Sequence, residues 1–194
     1  MIEIDYYEEF SRKFSEYLKS YLNNSFSVYY SFNKTLDSII AELEQLSGLK
    51  LSDGTTYIPK LKVDIVFAIC SLNTLPKLIL FEAKYLNKLS LKDYSQLVGY
   101  LHVAKSIDLG LLLLIQKGPS VNKLSSDFQE IVRLKKLPMD WMINLKKIDE
   151  IYEFKTGIIN YIPGNGIDWI DTSDINGISS FDELAKILNL PNRT

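Results

Sequence analysis

The sequence predicts an α/β protein whose central mixed sheet is flanked by helices, and three observations predict it. Residues 109–115 (LGLLLLI) form a continuous apolar run of strand length, the pattern of a strand covered on both faces. Ahead of it, two β-rich segments, YIPKLKVDIVFAI (57–69) and LPKLILFEAKY (75–85), are separated by turn residues and read as a hairpin. Segments of helical period lie on either side of that hairpin. The order helix, hairpin, helix, buried strand is that of a three-layer α/β core with mixed strand directions.

Each element has its own justification. In residues 5–22, Tyr6, Phe10, Phe14, Tyr17, Leu18 and Tyr21 recur at three- and four-residue steps between charged residues, which predicts an amphipathic helix. That aromatic stripe reads as core or subunit interface rather than as a base-stacking platform. FSVYYSF (26–32) is aromatic-rich and predicts a short strand. A second helix is expected over 34–46, with Leu36, Ile39, Ile40, Leu43 and Leu46 on one side and Gly48 as its stop. After the hairpin, Ser90 with Asp93 three residues on predicts a capped helix over 90–106. Beyond Gly118-Pro119 a helix is expected over 126–136 and a strand pair over 148–154 and 158–162. A loop is expected at 163–166, a polar, turn-rich stretch over 168–177 and a helix over 180–188 opened by Ser180 and Glu183. Residues 1–120 are assigned to the core and 121–194 to a smaller α+β extension packed on it, serving specificity or dimerisation.

Bulk properties exclude several classes. The 194 residues carry 22 Lys and Arg against 24 Asp and Glu, so the chain does not coat nucleic acid by net charge; a local cleft field is still compatible with this balance. One cysteine, Cys70, excludes an internal disulfide framework and a Cys-rich zinc site and reads as a buried thiol. One histidine, His102, excludes paired-histidine metal motifs. The N-terminus MIEIDYYEEF lacks the basic and apolar regions of a signal peptide, and no apolar run approaches 18 residues, so a soluble, cytoplasmic protein is expected. The loop 163–166 has glycines but no phosphate-binding lysine, so no nucleotide cofactor is expected there.

The informative residues are charges set in apolar strands. Asp64 is the one charged residue of VDIVFAI, and Glu82 and Lys84 interrupt LILFEAKY. Period-two alternation puts Glu82 and Lys84 on one face with Leu80, and turns Phe81 and Ala83 to the other. A carboxylate inside an apolar strand costs several kcal/mol unless a cation or hydrogen bonds compensate. The chemistry that uses such an arrangement is metal-assisted phosphodiester hydrolysis. Two carboxylates hold a hard cation through oxygen, and a neighbouring lysine positions or deprotonates the attacking water or neutralises charge on the phosphorane.

The array Asp64…Glu82-Ala83-Lys84 resembles the D…(D/E)-x-K signature of the PD-(D/E)XK nuclease superfamily, with the acids eighteen positions apart. Gln96 and Tyr100, one helical turn apart, are similar to the Q-x-x-x-Y element that follows the E-x-K strand in RecB-like members. The resemblance covers roughly residues 34–115. It implies a restriction-endonuclease-like core in which Asp64, Glu82 and the Ala83 main-chain carbonyl bind Mg2+, with Mn2+ able to substitute, while Lys84 assists the water. The family often has a glutamate on the preceding helix; Glu42 and Glu44 both flank the apolar side of that helix here, and Glu42 is the favoured candidate. Gln96 and Tyr100 are expected to support the site or touch the backbone, and Lys62 and Lys88 to contact phosphates. The proline usual before the aspartate is absent: Val63 stands there, with Pro59 further upstream.

The function expected from the resemblance is a Mg2+-dependent DNA endonuclease, first as a type II restriction-like enzyme acting as a twofold homodimer. Trp141 and Trp169, outside the core, would then be placed to read bases. Holliday-junction resolvase or repair nuclease is the nearest alternative, and a non-catalytic binding or assembly protein that kept the nuclease fold is the alternative of another class.

Overall fold

The computed structural model describes residues 2–22, 26–52, 54–71, 74–134, 155–171 and 177–189. A short 3-10 helix (Glu3–Tyr6) runs into α1 (Tyr7–Tyr21), followed by β1 (Phe26–Thr35), α2 (Leu36–Ser47), β2 (Lys62–Ser71), β3 (Thr74–Leu86), α3 (Leu91–Val103) and β4 (Leu109–Gln116). Then come α4 (Ser126–Arg133), β5 (Lys155–Ile162), β6 (Gly166–Ile170) and α5 (Phe181–Asn189). The described strands form one mixed sheet in the order β1-β2-β3-β4-β5-β6. β2 runs antiparallel to both of its neighbours, β1 and β3; β3, β4 and β5 run parallel, and β6 returns antiparallel.

Alternation along the central strands sorts their side chains onto two buried faces. Ile65, Phe67, Ile79, Phe81, Leu111 and Leu113 pack with Phe10, Phe14 and Leu18 of α1 and with Leu184 and Leu188 of α5. On the other face, Val66, Ala68, Leu80, Leu112 and Leu114 pack with Leu36, Ile39 and Leu43 of α2, Leu97 and Leu101 of α3 and Phe128 of α4. Helices thus cover both faces, which explains why β4 can be apolar at every position but its last. Gly110 permits a close approach of α3: a Cβ there would meet Leu101 Cδ1 at 2.5 Å. The aromatic stripe of α1 is core at Phe10 and Phe14, while Tyr17 and Tyr21 stack on Phe181 of α5.

The C-terminal third supplies β5 and β6 to this same sheet, and its last helix is tied to β3, because Lys77 donates to the Ile187 carbonyl at 2.9 Å. Several boundaries differ from the sequence reading. β2 begins at Lys62 rather than at 57, because Pro59 has no N–H to give a ladder and its carbonyl accepts the Leu61 N–H in a tight turn. β1 runs on to Thr35, so α2 starts two residues later than the periodicity suggests. β6 occupies 166–170, where the polar composition predicts loop and turn; pairing with β5 decides it. Trp141, the expected strand over 148–154 and the end of the expected 126–136 helix lie outside the described residues. The capping box holds: both the Ser90 N–H and its hydroxyl donate to Asp93 Oδ2 at 2.7 Å. No helix among the described residues is long and apolar enough to cross a membrane.

Candidate active site

β2 and β3 part company where the charged residues stand. Their ladder runs from Ser71↔Thr74 to Ile65↔Phe81 and ends there, although both strands continue. β2 stays with β1 as far as Thr35↔Lys62, and the Leu61 carbonyl before it accepts the Leu36 N–H at 2.8 Å. A local kink accompanies the departure. The β1–β2 register includes Phe32↔Ile65 and Lys34↔Val63 but not Asn33 and Asp64 between them, and Asn33 has φ 55°, a left-handed conformation that asparagine tolerates. Val63 accordingly packs on the α2/α3 face while Ile65 packs on the α1 face.

Into the gap so opened the Asp64 carboxylate turns toward β3, where its Oδ2 accepts the Ala83 N–H at 2.9 Å. Glu82 and Lys84, next to Ala83 on either side, share the opposite face from Phe81 and Ala83, as alternation requires. Lys84 Nζ is ion-paired with Glu82 Oε1. Glu82 is 2% exposed. Burial, and then the negative charge of Asp64, push its carboxyl up to about 7 against the opposing pull of Lys84. For Lys84, burial pulls the ammonium downward, but its hydrogen bond to Glu82 and the charges of Glu82, Asp64 and Glu3 more than offset this, so its pKa is raised. At neutral pH Lys84 is a cation.

A fourth group joins these three from the far end of the chain. Glu3 acts on both Glu82 and Lys84 electrostatically, its Oε2 accepts the Tyr85 N–H at 2.8 Å, and its Oε1 accepts the Tyr7 hydroxyl at 2.9 Å. Tyr7 is buried and faces both Glu3 and Asp64; burial first, then those two carboxylates, raise its pKa. The sequence does not single out Glu3 or Tyr7. Glu3 is one of four acids in MIEIDYYEEF, and nothing local separates it from Asp5, Glu8 or Glu9.

The other expected residues have contacts of their own. Glu42, the favoured helix glutamate, accepts from Ser31 Oγ and Lys34 Nζ, both at 2.6 Å, and so lies over β1, one strand away from Asp64. Glu44 holds the Leu51 N–H at 2.8 Å. The carboxylate that does reach the end of β3 is Glu3, because the N-terminal 3-10 helix packs there, whereas α2 connects β1 to β2 and packs across β1. Gln96 and Tyr100 bond to each other, Nε2 to hydroxyl at 3.0 Å, with Gln96 exposed and Tyr100 partly packed on the core. Lys62 and Lys88 are exposed at the start of β2 and just past β3.

Comparison of the chain with family models, with curated proteins and with solved structures finds no match.

The geometry of the site suits a hard divalent cation. Three carboxylates, Asp64, Glu82 and Glu3, face a single ammonium, Lys84, and the charges of Asp64 and Glu3 add to burial in raising the Glu82 pKa. Oxygen donors in excess of positive charge are the set that Mg2+ or Mn2+ takes. No group of three or more His, Cys, Asp or Glu side chains among the described residues is arranged to hold a metal by itself. The groups that could hold a cation here are two acids, Asp64 and Glu82, with the Ala83 carbonyl. In an extended strand the N–H and C=O of one residue leave from the same edge, so that carbonyl opens into the gap to which the Ala83 N–H already points.

Proposed function

We propose that this chain is a Mg2+-dependent endonuclease of restriction-endonuclease-like fold that hydrolyses DNA phosphodiester bonds. The observation that supports it above all is the meeting of Asp64 with the Glu82–Lys84 pair at the point where β2 leaves β3. Sheet order and the helices on both faces are compatible with that fold.

In this reading Asp64, Glu82 and the Ala83 carbonyl hold the cation. When bound there, a divalent cation supplies Lewis acidity at a phosphoryl oxygen and makes water a better nucleophile. Lys84, a cation at neutral pH, orients the attacking water by donating to it and stabilises the charge that develops on phosphorus oxygens. Ala83 N–H fixes the Asp64 rotamer, so the first acid is positioned before any ligand arrives.

The test is cleavage of supercoiled plasmid, linear duplex and a four-way junction in Mg2+ and in Mn2+ by the parent, Asp64→Asn and Lys84→Gln. The parent is expected to cut in a metal-dependent manner and each variant to lose about 10²-fold or more. Cleavage of plasmid at fixed positions supports the restriction role, and cleavage confined to the junction supports resolution. A parent that cuts none of these substrates, or variants that cut as fast as the parent, refutes the proposal.

A further inference from the structure

The two β3 amides past the end of the β2–β3 ladder are both held by carboxylates. Even-numbered residues of β3 bond toward β4: Leu78 exchanges bonds with Asp108, and the Leu86 carbonyl accepts the Lys117 N–H at 3.0 Å. Odd-numbered residues therefore face β2. Had the ladder continued in register, Ala83 and Tyr85 would pair with backbone of the β2 segment. Instead the Ala83 N–H donates to Asp64 Oδ2 and the Tyr85 N–H to Glu3 Oε2, at 2.9 and 2.8 Å.

We infer that Glu3 is a positioning residue: a carboxylate wedge, clamped by Tyr7, that takes the place of β2 backbone beside Tyr85 and keeps the two strands apart. Both of its oxygens are committed to protein donors, Tyr85 N–H on one and the Tyr7 hydroxyl on the other. A role as metal ligand would require giving up one of those bonds and leaving a half-buried donor unpaired. A buried donor left unsatisfied costs about 1–3 kcal/mol. What the wedge provides is the gap itself. With β2 held off, the Ala83 carbonyl is left to the cation and Asp64 faces Glu82 across the opening. The consequence for metal binding rests on the nuclease reading; the wedge as a structural fact does not.

The experiment separates shape from charge at one position. In Glu3→Gln the amide oxygen still accepts the Tyr85 N–H, and the amide nitrogen donates to the Tyr7 oxygen, whose proton turns toward Asp64. In Glu3→Ala both bonds are gone. Amide hydrogen exchange at Tyr85 in the metal-free protein and Mn2+ affinity by calorimetry are measured for parent, Glu3→Gln and Glu3→Ala. The expected result is Tyr85 exchange and Mn2+ affinity within about threefold of the parent in Glu3→Gln, and both worse by about tenfold or more in Glu3→Ala. Unchanged Tyr85 exchange in Glu3→Ala overturns the wedge. Mn2+ binding weakened as much by Glu3→Gln as by Glu3→Ala also overturns it, since Glu3 would then act through its charge as a ligand. A parent that binds no Mn2+ refutes the nuclease reading, and Tyr85 exchange alone then decides the wedge.

Discussion

Replacing Glu82 with glutamine should make the metal-free protein more stable above neutral pH, and the size of the effect follows from the site. In the folded chain the Glu82 carboxyl titrates at about 7, against 4.5 for the unperturbed group, because it is buried and faces Asp64. Between those two values the unfolded state has released the proton and the folded state has not, so stability falls as pH rises from about 4.5 and levels off above about 7. The interval corresponds to about 3 kcal/mol, against a total of about 5–15 kcal/mol for a domain. Glutamine keeps the volume and an acceptor for Lys84 but cannot ionise. Thermal unfolding of parent and Glu82→Gln, in chelator at pH 5 and pH 8, gives the comparison. The variant should match or slightly exceed the parent at pH 5 and melt about 6–12 °C higher at pH 8. Carboxylates held below their usual range, such as Glu9 and Glu42, change stability at lower pH and cancel in the difference between the two proteins. A variant that melts at or below the parent at pH 8 would refute the claim that Glu82 is ionised against an energetic penalty, and with it the claim that a bound cation relieves that penalty.

Three further outcomes follow from the same geometry. Asp64→Asn removes the charge that most raises the Glu82 pKa after burial, so the Glu82 titration midpoint, followed by carboxyl NMR, should move down from about 7; an unchanged midpoint would strike Asp64 from its causes. Mn2+ binding should tighten as pH rises through about 7 and release close to one proton at pH 6, measured by calorimetry in buffers of different ionisation enthalpy; pH-independent binding would place the ion away from Glu82. Gly157→Ala should destabilise the fold by about 2 kcal/mol in denaturant titration, because a Cβ there would meet the Ile178 carbonyl oxygen at 2.5 Å, and backbone must shift; a neutral substitution would contradict the close pairing of residue 178 with β5.

The heart of the site was legible because ionisable residues in an apolar strand break a pattern that short-range physics enforces. Glu82 and Lys84 stand out from LILFEAKY, and their shared face follows from period two alone. β4 was legible for the complementary reason, as an apolar run that requires cover on both sides. What escaped the reading depends on pairings between distant segments. Glu3 reaches Tyr85 across 82 residues, and four acids near the N-terminus look alike until the 3-10 helix is docked. Glu42 is expected at the site only through the resemblance, which implies a glutamate on the helix before the hairpin; in space α2 lies over β1, and Ser31 and Lys34 take its carboxylate. The strand β6 has a glycine, an aspartate and only five residues, so its own composition does not mark it; the open edge of β5 does. The Asn33 kink, which turns Asp64 out of strict alternation, leaves no signature in FSVYYSFNKT beyond an asparagine.

The most direct test of the whole account is the position of Mn2+ in crystals soaked at pH 8, read from its anomalous scattering. The account predicts one peak at ligand distance from an Asp64 oxygen, a Glu82 oxygen and the Ala83 carbonyl, with both oxygens of Glu3 still bonded to Tyr85 and Tyr7. Density for Mn2+ only at other residues, or Asp64 and Glu82 carboxylates unmoved and without metal at saturating concentration, would contradict it.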